Sequence, residues 1–421
     1  MINFKENSRL VIICLSILVL ISFVYGFFIG EDSLGGAEHD YNRNNIFLLS
    51  FSKNFDLAIQ NYGTYGEVRN LPTFNLILFP LINLGFEVNH IKYLNLLILA
   101  CIIFYFLKSL EVEYKNLTLD SKILFSSTIL LSPTIRSLVN YPYPFLWAIC
   151  FFLMSIFFYL NFKNNKSNKF RNALFCILNL SLASYMTPNF SVFIIIFFLK
   201  FFSEYKMSKK FFQICFFSII LSLPALFFLI WKDFYIFKNE VFEVSYFEKF
   251  NISNKILIIS SFIFLFLIPN LTKYDFSKNY LKSIISKKSI YIILIYLLCI
   301  FFFNFKTGAG GGIFYQFSNL LFGNNYLLFL IFLISLFIFD LLKLYNIENF
   351  VIFILLILYN LQYTIFYKYF DPLLLFIFLF MTNIKRNDNF DINHLCKKYF
   401  IFYIFFLCLN IFKDDLRLLL V

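Results

Sequence analysis

Residues 10–29 read LVIICLSILVLISFVYGFFI and residues 30–41 read GEDSLGGAEHDY, an apolar run that turns at once into a loop dense with acids. Twenty apolar residues in helical form reach about 30 Å, the thickness of a bilayer's hydrocarbon core. Lys5 and Arg9 precede the run. A cleaved signal peptide has a shorter apolar core that ends in a small-residue site, so the run is expected to be an uncleaved first membrane span. The acids that follow it then sit at the membrane surface.

The rest of the chain agrees with a membrane setting. Of 421 residues 60% are hydrophobic and 14% charged, and the mean hydropathy is +0.77. Soluble domains average roughly 25% charged residues, which excludes that class. The 66 Phe and 27 Tyr beside 2 Trp follow the codon bias of an AT-rich genome and carry no functional weight here. The eight cysteines (14, 101, 150, 176, 215, 299, 396 and 408) form no CxxC pair and read as small apolar packing residues.

Further apolar runs occur at about 72–86, 93–107, 122–133, 144–162, 173–187, 189–202, 212–231, 255–269, 289–303, 326–343, 350–366, 371–384 and 399–412. The strongly basic connections are 163–171, 200–210, 273–288 and 385–398, and they alternate with sparsely charged ones. All four fall on the side of the N-terminus if 72–86 does not cross. The near side then holds 23 Lys and Arg against 13 on the far side, for net charges of +13 and −1. The positive-inside rule therefore predicts an all-α membrane protein of about thirteen transmembrane helices, N-terminus inside and C-terminus outside. A re-entrant 122–133 would restore the same parity. The net charge of +12 is a by-product of these inner loops and does not imply nucleic acid. The chain is expected to form a single polytopic membrane domain, 1–421, with its largest outer excursions at 30–90, 232–254 and 304–325.

The first outer loop is the richest. Glu31, Asp32, Glu38 and Asp40 crowd its start, with His39 and Tyr41 beside them. A partly desolvated carboxylate there can act as general base on an acceptor hydroxyl; the plainer reading is a solvated acidic surface. Apolar positions 46, 47, 48, 51, 55 and 59 recur at helical spacing, which predicts an amphipathic interface helix over 42–60. A turn-rich stretch with Arg69 leads to Pro72, where a second, non-crossing apolar helix is expected, kinked at Pro80.

This order of first span, acid, interface helices and Pro-started apolar helix resembles the GT-C superfamily, integral-membrane glycosyltransferases that use polyprenyl-phosphate sugars. The resemblance implies a GT-C-like fold, with juxtamembrane helices in the first outer loop. It also implies that an Asp of that loop is the catalytic base; by position this is Asp40, with Glu38 the competing acid. Many members carry two adjacent acids, where this chain has His39-Asp40-Tyr41. Leu131-Ser132-Pro133-Thr134-Ile135-Arg136 is similar to a Pro-marked outer connection of these enzymes. Tyr367-Lys368-Tyr369-Phe370-Asp371-Pro372 is similar to their Arg-Tyr…Pro pattern before a late span, with Lys where Arg is usual.

A lipid-phosphate leaving group needs cations at the outer interface. The isolated ones are Arg69, Arg136, Lys306 and Lys368. Snorkelling anchors to lipid are the plainer reading of the two lysines, and arginine's bidentate grip favours Arg69 and Arg136. Gly308, Gly310, Gly311 and Gly312 suit either an anion-binding nest or a hinge, and Gly310, Gly311 and Gly312, like His39 and Tyr41, are candidates for lining the cavity. No metal ligand set is visible, since His90 and His394 are lone and on opposite sides; no cofactor is certain, and a divalent metal stays open.

The expected partners are a polyprenyl-phosphate-linked sugar donor, a glycan or lipid acceptor and the lipid bilayer. The expected location is a bacterial inner membrane, multi-pass, with the site facing the periplasm. Two other classes stand beside this one. An O-antigen-type polysaccharide polymerase or ligase would place long Arg-bearing outer loops in the second half. A lipid or glycan transporter would need charges in mid-span, and none is seen.

Overall fold

A computed structural model describes residues 4–63, 70–165, 168–235, 251–271, 287–306, 310–341, 346–360, 362–383 and 391–413. Among the described residues every regular element is helical. Contacts cluster the chain into two units, 1–248 and 249–421.

The first unit begins with α1 (Phe4–Ile29), then three elements of the first connection: α2 (Ala37–Lys53), α3 (Phe55–Asn61) and α4 (Thr73–Asn83). There follow α5 (Ile91–Glu113), α6 (Leu119–Leu130), α7 (Pro133–Asn140), α8 (Pro144–Asn164) and α9 (Lys169–Met186). A 3-10 turn, Pro188–Phe193, leads into α10 (Ile194–Tyr205), and α11 (Lys209–Trp231) closes the series. Local chemistry sets these boundaries. The side chains of Asn54, Thr118, Ser132 and Ser208 each accept a bond from a backbone N–H three residues on, capping α3, α6, α7 and α11. Pro133 and Pro144 occupy first helical positions, where the missing N–H costs nothing.

Helix α8 packs along α9 and α5, α1 along α6, and α2 along α4. Rings of Phe152, Phe190 and Phe193 meet at 4.9 to 6.4 Å in the centre. Buried Asn95 of α5 donates to the Leu138 carbonyl of α7 at 3.0 Å and accepts from Trp147 Nε1 of α8 at 3.1 Å, so three helices share one amide. Helix α11 turns Phe212, Phe216, Leu226 and Phe227 outward. Water would not tolerate so long an exposed apolar face, and hydrocarbon would.

The second unit comprises α12 (Ile252–Leu271), α13 (Lys287–Phe301), α14 (Gly312–Phe322), α15 (Tyr326–Leu341), α16 (Ile347–Tyr359), α17 (Leu373–Phe380) and α18 (Ile392–Ile411) among the described residues. Helix α12 is its axis and touches each of the others. Every residue of α17 is buried.

Among the described residues, seven helical segments are long and apolar enough to cross a membrane: Arg9–Ile29, Ile91–Glu113, Pro144–Asn164, Pro188–Tyr205, Lys209–Trp231, Ile252–Asn270 and Ile392–Ile411. The protein is thus an all-α chain with several membrane-spanning helices. Thr73–Asn83, Tyr326–Ser335 and Ile347–Tyr359 are apolar but shorter. The eleven residues of α4 reach only about 16 Å, roughly half a bilayer core. Pro72 caps its start and Pro80 lies inside it.

Candidate functional site

Helix α1 does not simply end at the loop; the chain folds back on it. The Glu31 N–H donates to the Gly26 carbonyl at 2.8 Å, bringing the Glu31 carboxylate down beside the helix. There it meets Arg136 of α7. The guanidinium donates from Nε to Glu31 Oε1 at 2.8 Å and from Nη2 to Oε2, and Nη2 also reaches the Ser22 carbonyl at 2.9 Å. Phe23 lies 5.9 Å from the guanidinium carbon. The Arg136 side chain is 3% exposed and that of Glu31 13%, so the pair is shielded from water. Removing one partner of such a pair strands a buried charge, which costs roughly 3 to 5 kcal/mol.

The residues around the pair bind the same two segments together. Asn140 donates from Nδ2 to the Gly26 and Glu31 carbonyls at 3.3 and 3.1 Å. The Tyr141 hydroxyl donates to the Gly30 carbonyl at 2.8 Å. Ser33 Oγ donates to the Pro133 carbonyl at 3.2 Å, and the Leu34 N–H donates to Ser137 Oγ at 2.8 Å. Asp32 faces the other way. Its carboxylate accepts from the N–H groups of Gly35, Gly36, Ala37 and Glu38 at 2.9 to 3.2 Å. Those are the orphan donors of α2's first turn and its lead-in, so Asp32 caps the helix.

The cap moves the expected helix start. Spacing alone predicted a helix over 42–60 with Asp40 in the loop before it. The structure starts α2 at Ala37 and breaks it at Asn54, so Glu38, His39, Asp40 and Tyr41 form its first turns. Glu38 and His39 are exposed, Asp40 and Tyr41 half-buried. His39 Nε2 lies 3.2 Å from Arg43 Nη2. The rings of Tyr41 and Tyr141 are 5.9 Å apart. Burial, and then the negative charges of Glu38 and Asp32, push the Tyr141 hydroxyl above the usual tyrosine range.

Arg69 lies outside the described residues, as does most of 232–254. Its chain neighbour Asn70 donates to the Tyr143 hydroxyl at 3.3 Å, and its carbonyl accepts from Tyr62 and Tyr235 at 3.2 and 2.6 Å. Tyr62, Tyr235 and Phe51 form a buried aromatic cluster under this segment.

In the second unit Lys306 is exposed and its N–H donates to the Tyr363 hydroxyl at 3.3 Å. Lys368 rests its ammonium over the rings of Phe366 and Tyr369, at 5.3 and 5.5 Å. Gly311 donates its N–H to the Ile365 carbonyl at 2.8 Å, so the loops bearing Lys306 and Lys368 lie against each other. Gly310, Gly311 and Gly312 all have positive φ, and a Cβ on Gly312 would sit 2.0 Å from the Phe262 ring. Close approach explains these glycines, and one N–H that an anion nest would need is already committed. Among the described residues of this unit two charged side chains are wholly buried: Lys255, which donates to the Asn360 and Gln362 carbonyls, and Asp371 of the Tyr367–Pro372 stretch, which accepts from the Tyr403 hydroxyl at 3.0 Å. Both sit at helix starts, α12 and just before α17.

Among the described residues no three His, Cys, Asp or Glu side chains converge as metal ligands would. No protein-family model, curated protein or solved structure matches the chain. Sequence reading did not find the partner of Arg136, which lies 105 residues away. The available signal was a lone arginine in a Pro-marked apolar stretch and an acid directly past the first span.

Proposed function

We propose that the protein is a GT-C-type glycosyltransferase with about thirteen spans, moving a sugar from a polyprenyl-phosphate donor to a lipid-linked or cell-surface glycan acceptor at the periplasmic face of a bacterial inner membrane. The observation that carries this reading is the placement of Asp40. It is half-buried in the first turn of a helix whose start is pinned to the C-terminal end of α1, and the next apolar helix, α4, is too short to cross. A carboxylate so held meets the needs of a base working at a membrane surface.

In this mechanism Asp40 takes the proton of an acceptor hydroxyl as its oxygen attacks the anomeric carbon. The bond from that carbon to the phosphate oxygen breaks, and polyprenyl phosphate leaves as the anion. Arg136 is spent on Glu31 and Ser22, and Arg69 is the arginine assigned to the departing phosphate.

The test is transfer from a radiolabelled polyprenyl-phosphate hexose by the full chain in lipid nanodiscs. Asp40→Asn is expected to reduce turnover by ~10²- to 10⁴-fold with insertion unchanged. Glu38→Gln, exposed on the neighbouring face of the same turn, is expected to retain it. Near-normal transfer by Asp40→Asn would remove the base from this reading.

A further inference from the structure

We infer that Arg136 is a positioning residue: through Glu31 it fixes the height and rotation of the acid-bearing start of α2 against α1 and α7, and so sets where Asp40 meets its acceptor. The inference rests on the reading of Asp40 as base. Its starting point is the accessibility of the guanidinium. A group meant to grip a lipid phosphate must offer its donors to the membrane surface, whereas Nε and Nη2 of Arg136 are turned onto Glu31 and Ser22, and the side chain is buried. A bidentate pair fixes direction as well as distance.

The surroundings are shaped to this pair. A Cβ at Gly26 would fall 2.0 Å from Glu31 Oε2 and 2.8 Å from Arg136 Nη2, so only glycine lets the carboxylate and guanidinium lie against α1. Gly30, Glu31, Ser33 and Leu34 are each bonded to α7 or the residues flanking it, while Asp32 between them is turned outward to cap α2. The stretch thus has one side fastened to α7 and the other building the start of the helix that carries Asp40. A displacement of the pair passes directly to that helix, and a shift of about 1 Å at a reacting group can cost on the order of 100-fold in rate.

The test joins a geometric readout to a kinetic one. The hydroxyls of Ser33 and Ser137 are 3.5 Å apart, so Ser33→Cys with Ser137→Cys reports their proximity by disulfide formation, mapped by peptide mass spectrometry to separate it from the native cysteines. Adding Glu31→Gln to this parent is expected to slow the crosslink about tenfold. It should also lower kcat by roughly 10- to 100-fold while KM for the donor stays within about twofold. Completing the crosslink under strong oxidation is expected to restore kcat to within about threefold of the crosslinked parent, since the bond replaces the pair's mechanical role. If Glu31→Gln fails to insert, Glu31→Gln with Arg136→Gln removes both charges and serves instead. An unchanged crosslinking rate, or a slowed crosslink with unchanged kcat, overturns the inference. An absence of transfer in the unsubstituted chain overturns the glycosyltransferase reading and the kinetic half of this one, while the crosslinking rate still decides whether the pair holds Ser33 against Ser137.

Discussion

Asp32 accepts hydrogen bonds from four consecutive N–H groups, and that single carboxylate decides where α2 begins. Its negative charge also lies at the positive end of the helix dipole. Asp32→Ala removes the acceptor and is expected to lower stability by about 1 to 2 kcal/mol, read as a fall in thermal unfolding temperature in detergent, while Asp32→Asn keeps an acceptor oxygen and most of that stability. Transfer is expected to fall with Asp32→Ala as well, because Asp40 rides on the same turn. At this scale the sequence displayed the acids of the loop but not their division of labour. Glu31, Asp32, Glu38 and Asp40 look alike in a string. In the fold the first is paired with Arg136, the second is a cap, the third is exposed and the fourth is half-buried. What separates them is which partner comes within about 3 Å, and the partner of Glu31 is contributed by a helix 105 residues away.

Among elements, the three that follow α1 define the character of the first connection. The amphipathic pattern made helix in the first connection legible because periodicity is local, and Pro72 marked the start of α4 for the same reason. The boundaries of α2 were less legible. Its start depends on a side chain five residues upstream of Ala37, and its break on Asn54, whose carbonyl oxygen Oδ1 accepts from the Leu57 N–H at 3.0 Å to begin α3. If α2, α3 and α4 all lie on one side, cysteines at Glu38 and Leu84, both exposed, are expected to react with a membrane-impermeant maleimide from the same face of oriented vesicles. Labelling of the two from opposite faces would make α4 a crossing helix and invert every later span. The element least legible in the sequence was α7. Its residues read as a polar outer connection, yet all eight are buried, where Asn95, Ser33, Gly26 and Glu31 supply bonds that water would otherwise make.

Over the whole molecule the arrangement of charge is the broadest constraint. In the first unit Arg9 pairs with Asp120 at 3.5 Å, Lys122 with Glu111 at 2.6 Å, Lys163 with Glu113 at 3.1 Å, and Lys169 with Glu204. Each of these pairs joins connections that the charge count put on one face. Gly30 to Leu34 and α7, which it put on the other, meet at the far end of α1. A cysteine at Met207, exposed in the connection between α10 and α11, is therefore expected to be labelled from the face opposite to Glu38→Cys. Labelling of both from one face would refute the topology. By itself the sequence determined the membrane class, the helical content and the grouping of connections by charge, because hydropathy, period and Lys/Arg bias are sums over local residues that no packing detail can reverse. Only the tertiary structure decided what Arg136, Glu31 and Asp32 bond to. A buried guanidinium takes its role from the nearest carboxylate in space, and chain order does not encode which carboxylate that is until α7 is laid against α1.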